Sequence, residues 1–248
     1  MSREKNIIYA ARVVSVLFTP FYLPLVGLIA LFSFSYLSLL PTEYRLKVLA
    51  IVYFFTILAP TFFIHLYRKV QGWSRLELGQ KRRRMVPYVL SIVCYIGCIW
   101  VLRNNQIYHF VSSIVFAALL VQIVCALINI WWKISTHTAA IGGVAGALFI
   151  FAEIFGFNPV WWLAGVFVLA GVLGSARIIL RQHSLAQVVT GFAIGFLCAA
   201  IGIMLFYQPP KLGGWGSERP SIVKLFFSIV CYKIIPCSDP QPPNLGGC

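Results

Sequence analysis

Seven apolar runs dominate this chain and leave few folds open to it. They cover about residues 13–37, 48–67, 86–102, 110–132, 138–156, 159–180 and 185–207. A helix rises about 1.5 Å per residue and a bilayer's hydrocarbon core is about 30 Å thick, so each run approaches or exceeds a crossing. The expected fold is all-α: a polytopic transmembrane helical bundle of about seven spans (six to seven), occupying residues 1–207. The chain is only 10% charged and 60% hydrophobic, whereas a soluble domain carries about a quarter charged residues.

The N-terminal residues Met1 to Arg12 are basic, and the run behind them is too long for a signal-peptide core, so it reads as a retained first helix. Pro20 and Pro24 inside that run predict a kink or a break. Residues 138–156 are rich in Ala and Gly, and Gly191 and Gly195 repeat the small-residue pattern in the last span, which predicts close helix packing. Cys94, Cys98, Cys125 and Cys198 lie in apolar surroundings and read as buried free thiols. From Tyr207 onward Pro and Gly accumulate, and residues 208–248 read as a mobile tail whose apolar stretch, Leu225 to Ile235, is too short to span.

Ionisable groups at the ends of such spans are costly to place, which marks them as functional candidates. Ser135 and His137 end one link between spans. Arg177, Arg181 and His183 end another, with Gln187 one helical turn beyond His183. His137 and His183 are 46 positions apart, enough for one helical hairpin out and back, so both imidazoles return to one face. The basic run Lys81 to Arg84 lies two crossings before His137 and reaches the same face. Guanidinium and ammonium groups neutralise a phosphate and hold its oxygens, Arg as a bidentate fork. Acids are too scarce for a magnesium-pyrophosphate or two-metal site: the chain has six in all, and Asp239 is the one Asp. Without a metal, phosphoryl transfer needs a side-chain nucleophile or an activated water, and an acid for the leaving group. Two His on one face can supply these.

These windows resemble the type-2 phosphatidic acid phosphatase superfamily of integral membrane lipid phosphatases. Its second motif, Pro-Ser-Gly-His, is matched at Ser135 and His137. Its third, a Ser-Arg with a His six residues after the Arg and an Asp four after that His, is matched at Arg177 and His183, with Gln187 where the Asp stands. Its first, a Lys with Arg-Pro seven residues on, is altered here to Arg84-Met85-Val86-Pro87. The windows are also similar to a short bacterial branch carrying Trp-Lys-Ile-Ser-x-His and Gly-Ser-Ala-Arg. The resemblance covers about residues 68–195.

The resemblance implies an enzyme, a phosphoric monoester or diphosphate hydrolase, with no cofactor and no metal. His183 would be the nucleophile and His137 the acid for the leaving group. Ser135, Arg177, Arg84 and Lys81 would hold phosphate oxygens, and Gln187 would orient His183 without the charge of an Asp. It further implies a lipid phosphate substrate, contact with membrane lipids, no nucleic acid, and the bacterial inner membrane. Undecaprenyl diphosphate, phosphatidylglycerol phosphate, phosphatidate and a lipid A phosphate all remain open as substrates, as does the oligomeric state. A non-catalytic protein that binds anionic lipid, or transports a lipid phosphate, is the competing reading. His65 and His109 read as interfacial groups, and Trp131, Trp132, Trp161 and Trp162 as belt residues. Most of the 20 Lys and Arg fall on the motif face. The positive-inside rule would make that face cytoplasmic, but charges that bind phosphate inflate the count.

Overall fold

The computed structural model of the chain describes residues 2–34, 39–70, 81–105, 107, 109–156 and 158–206. One compact unit runs Met1–Gln208; the expected mobile tail and the middle of the 68–84 connection lie outside the described residues. In chain order the helices are α1 (Ser2–Leu17), α2 (Leu23–Phe34), α3 (Thr42–Tyr53), α4 (Ala59–Val70), α5 (Lys81–Asn104), α6 (His109–Trp131), α7 (Thr136–Phe155), α8 (Val160–Ile179) and α9 (Leu185–Phe206). The chain is an all-α polytopic bundle and an integral membrane protein. Among the described residues six helices are long and apolar enough to cross a membrane, beginning at Thr42, Met85, Phe110, Thr136, Val160 and Leu185.

The first expected span resolves differently. Residues 13–37 are not one crossing helix; α1 stops at Leu17 and α2 restarts at Leu23. The reason is local. Pro20 has no N–H to continue a ladder, and the Thr19 hydroxyl donates to the Val16 carbonyl at 2.7 Å, closing the end of α1. Pro24 stands in the first turn of α2, where a missing donor does no harm. With 12 residues, α2 is roughly 18 Å long and falls well short of a crossing.

The next rod is longer than expected. α3, a wide π turn over Phe54–Leu58 and α4 run on as one helix of 29 residues, Thr42–Val70. Pro60 explains the wide turn. Its ring would strike the carbonyl four residues back in a regular α-helix, and a π turn just ahead of it moves that carbonyl aside. Pro87 inside α5 removes one rung near the start of that helix, and the Ser91 hydroxyl donates back to the Pro87 carbonyl one turn before it.

α7 and α9 form the centre, flanked by α6 on one side and α8 on the other, with α5 outside α6 and α1 outside α8. The small residues let the central pair touch backbone to backbone. A Cβ added at Gly142 or Gly146 would fall deep inside the carbonyls of Phe192 or Phe196, and one at Gly195 inside that of Ala139. At Gly191 it would lie 2.7 Å from the Ser135 carbonyl oxygen. This seam is the close packing that the Gly and Ala pattern predicted, and it ends at the first turns of α7 and α9.

Candidate active site

Two helix starts meet at the end of the seam. Ser135 caps α7, its hydroxyl accepting from the Thr138 N–H at 3.5 Å. Its own N–H donates to the Gln187 carbonyl in the first turn of α9 at 3.4 Å. The two sequence windows are therefore joined directly, and both helices aim the positive ends of their dipoles at one place. Such a place favours an anion. Ser135 is fully buried and serves as the clasp between the windows.

The α8–α9 link brings His183 back to this point. α8 closes with Arg181 N–H donating to the Ile178 carbonyl at 2.8 Å and Gln182 N–H to the Arg177 carbonyl at 3.2 Å. This pair of bonds is the Schellman pattern, which turns the chain through a left-handed residue. Arg181 takes that position with φ 52°, where a side chain costs about 1 kcal/mol or more. Arg181 is exposed, so its backbone shape is what the link uses. Arg181→Gly is expected to raise the melting temperature in detergent by a few degrees and to leave the activity of the site within twofold.

Gln187 has two tasks. With Ser184 it forms a capping box: the Gln187 N–H donates to the Ser184 hydroxyl at 3.4 Å, and the Ser184 N–H donates to Gln187 Oε1 at 3.3 Å. Capping boxes have this Ser-x-x-Gln spacing. The same Oε1 lies 3.2 Å from His183 Nδ1. The Ser184 N–H can only donate, so it fixes which way the amide points. The backbone donor therefore holds Oε1 toward His183, which selects the tautomer with the proton on Nδ1 and the lone pair on Nε2. An Asp at this place would add charge to the same arrangement.

His137 stands in the first turn of α7, within electrostatic reach of Arg177 and His183 and against the Ser15 backbone. Two polar atoms in this cluster are buried without a hydrogen-bond partner: His137 Nδ1 and Arg177 Nε. Each such atom costs about 1–3 kcal/mol when nothing meets it, and an oxyanion with its leaving group would satisfy both. Arg177 Nη1 donates to the Ser15 hydroxyl at 2.6 Å.

His137 also lines a cavity of about 950 Å³. Its walls are almost entirely apolar and come from α2, α5, α6, α7 and α8, with the α1–α2 turn at Phe18 to Phe21 at the same end as His137. Trp162, near the far end of α8, lines it too, so the cavity runs from the polar cluster deep into the bundle. Asn129 braces this mouth: its side-chain amide donates to the Tyr88 hydroxyl at 2.6 Å and its Oδ1 accepts from the Ile134 N–H at 3.2 Å. That brace ties the start of α5 to the link before α7. α5 begins at Lys81, but the side chains of Lys81, Arg82, Arg83 and Arg84 lie outside the described residues.

The structure thus brings together His137, Ser135, Arg177, His183 and Gln187. Sequence reasoning missed Ser15, the Asn129 brace and the capping role of Gln187. Of these, the Ser184-x-x-Gln187 spacing carried a readable signal. The family model of the PAP2 superfamily matches residues 130–211, which takes in all five residues of the cluster and excludes α1 and α5. No curated protein and no solved structure matches the chain.

Proposed function

We propose that this chain, whose residues 130–211 match the family model of the PAP2 superfamily, hydrolyses a lipid phosphate or diphosphate, without a metal, through a phosphohistidine. The observation that carries this reading is the pairing of buried, unpartnered His137 Nδ1 and Arg177 Nε with a His183 held by Gln187, beside an apolar cavity. The phosphoryl group would sit over the first turns of α7 and α9, its oxygens on Arg177, with Arg84 and Lys81 as further holders. Ser135 would hold an oxygen only if its clasp opens. The lipid chain would run into the cavity.

In the first step His183 Nε2 attacks phosphorus, the bond to the lipid oxygen breaks, and His137 gives its proton to that oxygen. In the second, water attacks the phosphohistidine, His137 takes a proton from it, and inorganic phosphate leaves as the bond from phosphorus to His183 breaks. Gln187 supports the positive ring of the intermediate by accepting from Nδ1 throughout. The bacterial inner membrane is the proposed location, supported by the resemblance of the two windows to short bacterial members.

The test is phosphate release by the purified full chain from a panel of lipid phosphates and diphosphates, in vesicles containing a chelator, with acid-labile and alkali-stable phosphate sought on the protein. A chain that binds these lipids but releases no phosphate from any of them would be a binding or transport protein instead.

Gln187 gives a sharper expectation. Gln187→Glu keeps the Ser-x-x-Glu capping box, places a negative charge at a helix start and returns a carboxylate to His183 Nδ1. We expect kcat to rise about tenfold. Gln187→Met removes the acceptor that selects this tautomer and should lower kcat by about a hundredfold. Equal kcat in all three proteins would show that His183 is oriented by some other group.

A further inference from the structure

The bond between Arg177 and Ser15 joins the site to a helix 162 residues earlier in the chain, outside the matched segment. α1 packs on α8, and within Glu4–Leu17 only Ala11 and Ser15 are buried. These two residues are four apart and share one helix face. An apolar residue would bury at lower cost than a hydroxyl at the second of them, unless that hydroxyl has a partner. The partner it has is a guanidinium whose Nε is buried and unpaired. The Ser15 backbone also lies against the His137 ring.

We infer that Ser15 is a positioning residue of the phosphate site: its hydroxyl holds Arg177 by Nη1, so that the Nε edge of the guanidinium faces the oxygens of the substrate phosphate. This rests on the proposed function. A guanidinium carries five donors in a rigid plane, so fixing one nitrogen fixes the direction of all. The same seryl residue limits the travel of the His137 ring, and α1 thereby completes a site whose other parts come from α7, α8 and α9.

The test compares Ser15→Ala and Ser15→Thr in the full chain, each with native Arg177 and with Arg177→Lys. With native Arg177, Ser15→Ala should lower kcat/KM about tenfold, and Ser15→Thr, which keeps the hydroxyl, should stay within twofold. With Arg177→Lys, Ser15→Ala should cost less than twofold more, because the two residues act as a unit. A similar loss in both backgrounds, or no loss in either, overturns the inference and leaves the phosphatase reading standing. Should the parent chain release no phosphate at all, that reading fails by itself. Equilibrium binding of inorganic phosphate then decides: weakening of about tenfold in Ser15→Ala supports the role of Ser15, and unchanged or absent binding overturns it.

Discussion

Replacing His183 by Ala is expected to cut phosphate release from a lipid phosphate by about a thousandfold or more, with no change in the helical content or melting temperature of the protein. The size follows from the role. A nucleophile divides one difficult displacement into two easier ones, and its loss leaves only the stabilisation that Arg177 and the helix starts provide. The fold should tolerate the change because His183 sits in the link before α9, and the capping box of Ser184 and Gln187 survives without the ring. His137→Ala should behave differently. Loss of a general acid costs about 10²–10⁴, and most of that should vanish for a substrate such as p-nitrophenyl phosphate, whose leaving group needs no proton. Phosphate release by His183→Ala equal to that of the parent would remove the assigned nucleophile and the covalent route with it.

The second large effect concerns a residue with no chemistry. Gly195→Leu is expected to abolish measurable phosphate release and to lower the melting temperature by many degrees. The added Cβ alone would fall inside the Ala139 carbonyl, and overpacking of a tight core costs about 1–3 kcal/mol even for smaller insults. Relief requires α7 and α9 to part. Parting them would break the contact between Ser135 and Gln187 and separate His137 from His183. Gly171→Leu is the matched control, since a Cβ there meets nothing within 4 Å. Thermal melting and turnover measured side by side in detergent separate the two cases. Full turnover in Gly195→Leu would mean that the imidazoles need no close seam to meet.

What could be read from the sequence was governed by range. The crossing helices were legible because a long apolar run has one stable fate in lipid, and the later runs match Phe110–Trp131, Val160–Ile179 and Leu185–Leu205 closely. The break at Pro20 was legible in kind, but its consequence was not. Two short helices replace a span, and one of them, α1, turns back onto α8. The Gly pattern announced close packing, since Gly142, Gly146, Gly191 and Gly195 recur at helical spacing. The meeting of His137, Arg177 and His183 was legible because hairpin length is simple arithmetic. Ser15 was not, as nothing in the residues around it indicates an Arg 162 positions away. The double duty of Gln187 was hidden for another reason: read against an expected Asp it looked like a deficit, while its spacing from Ser184 pointed to a cap. Pro60 lies within a run that reads as one plain span, and the fold absorbs it as one widened turn within a continuous rod.

That rod, with 29 residues, is roughly 43 Å long, while its apolar run, about residues 48–67, is about 30 Å and matches the hydrocarbon layer. The extra length is polar, with Arg45 and Lys47 at one end and Arg68 and Lys69 at the other, and such ends lie in the two headgroup layers and hold the helix at one depth. The rod packs along α5, which carries Tyr88 and Pro87 in the wall of the cavity. The cavity wall is thereby referenced in height to both faces of the bilayer through a neighbour anchored at each end.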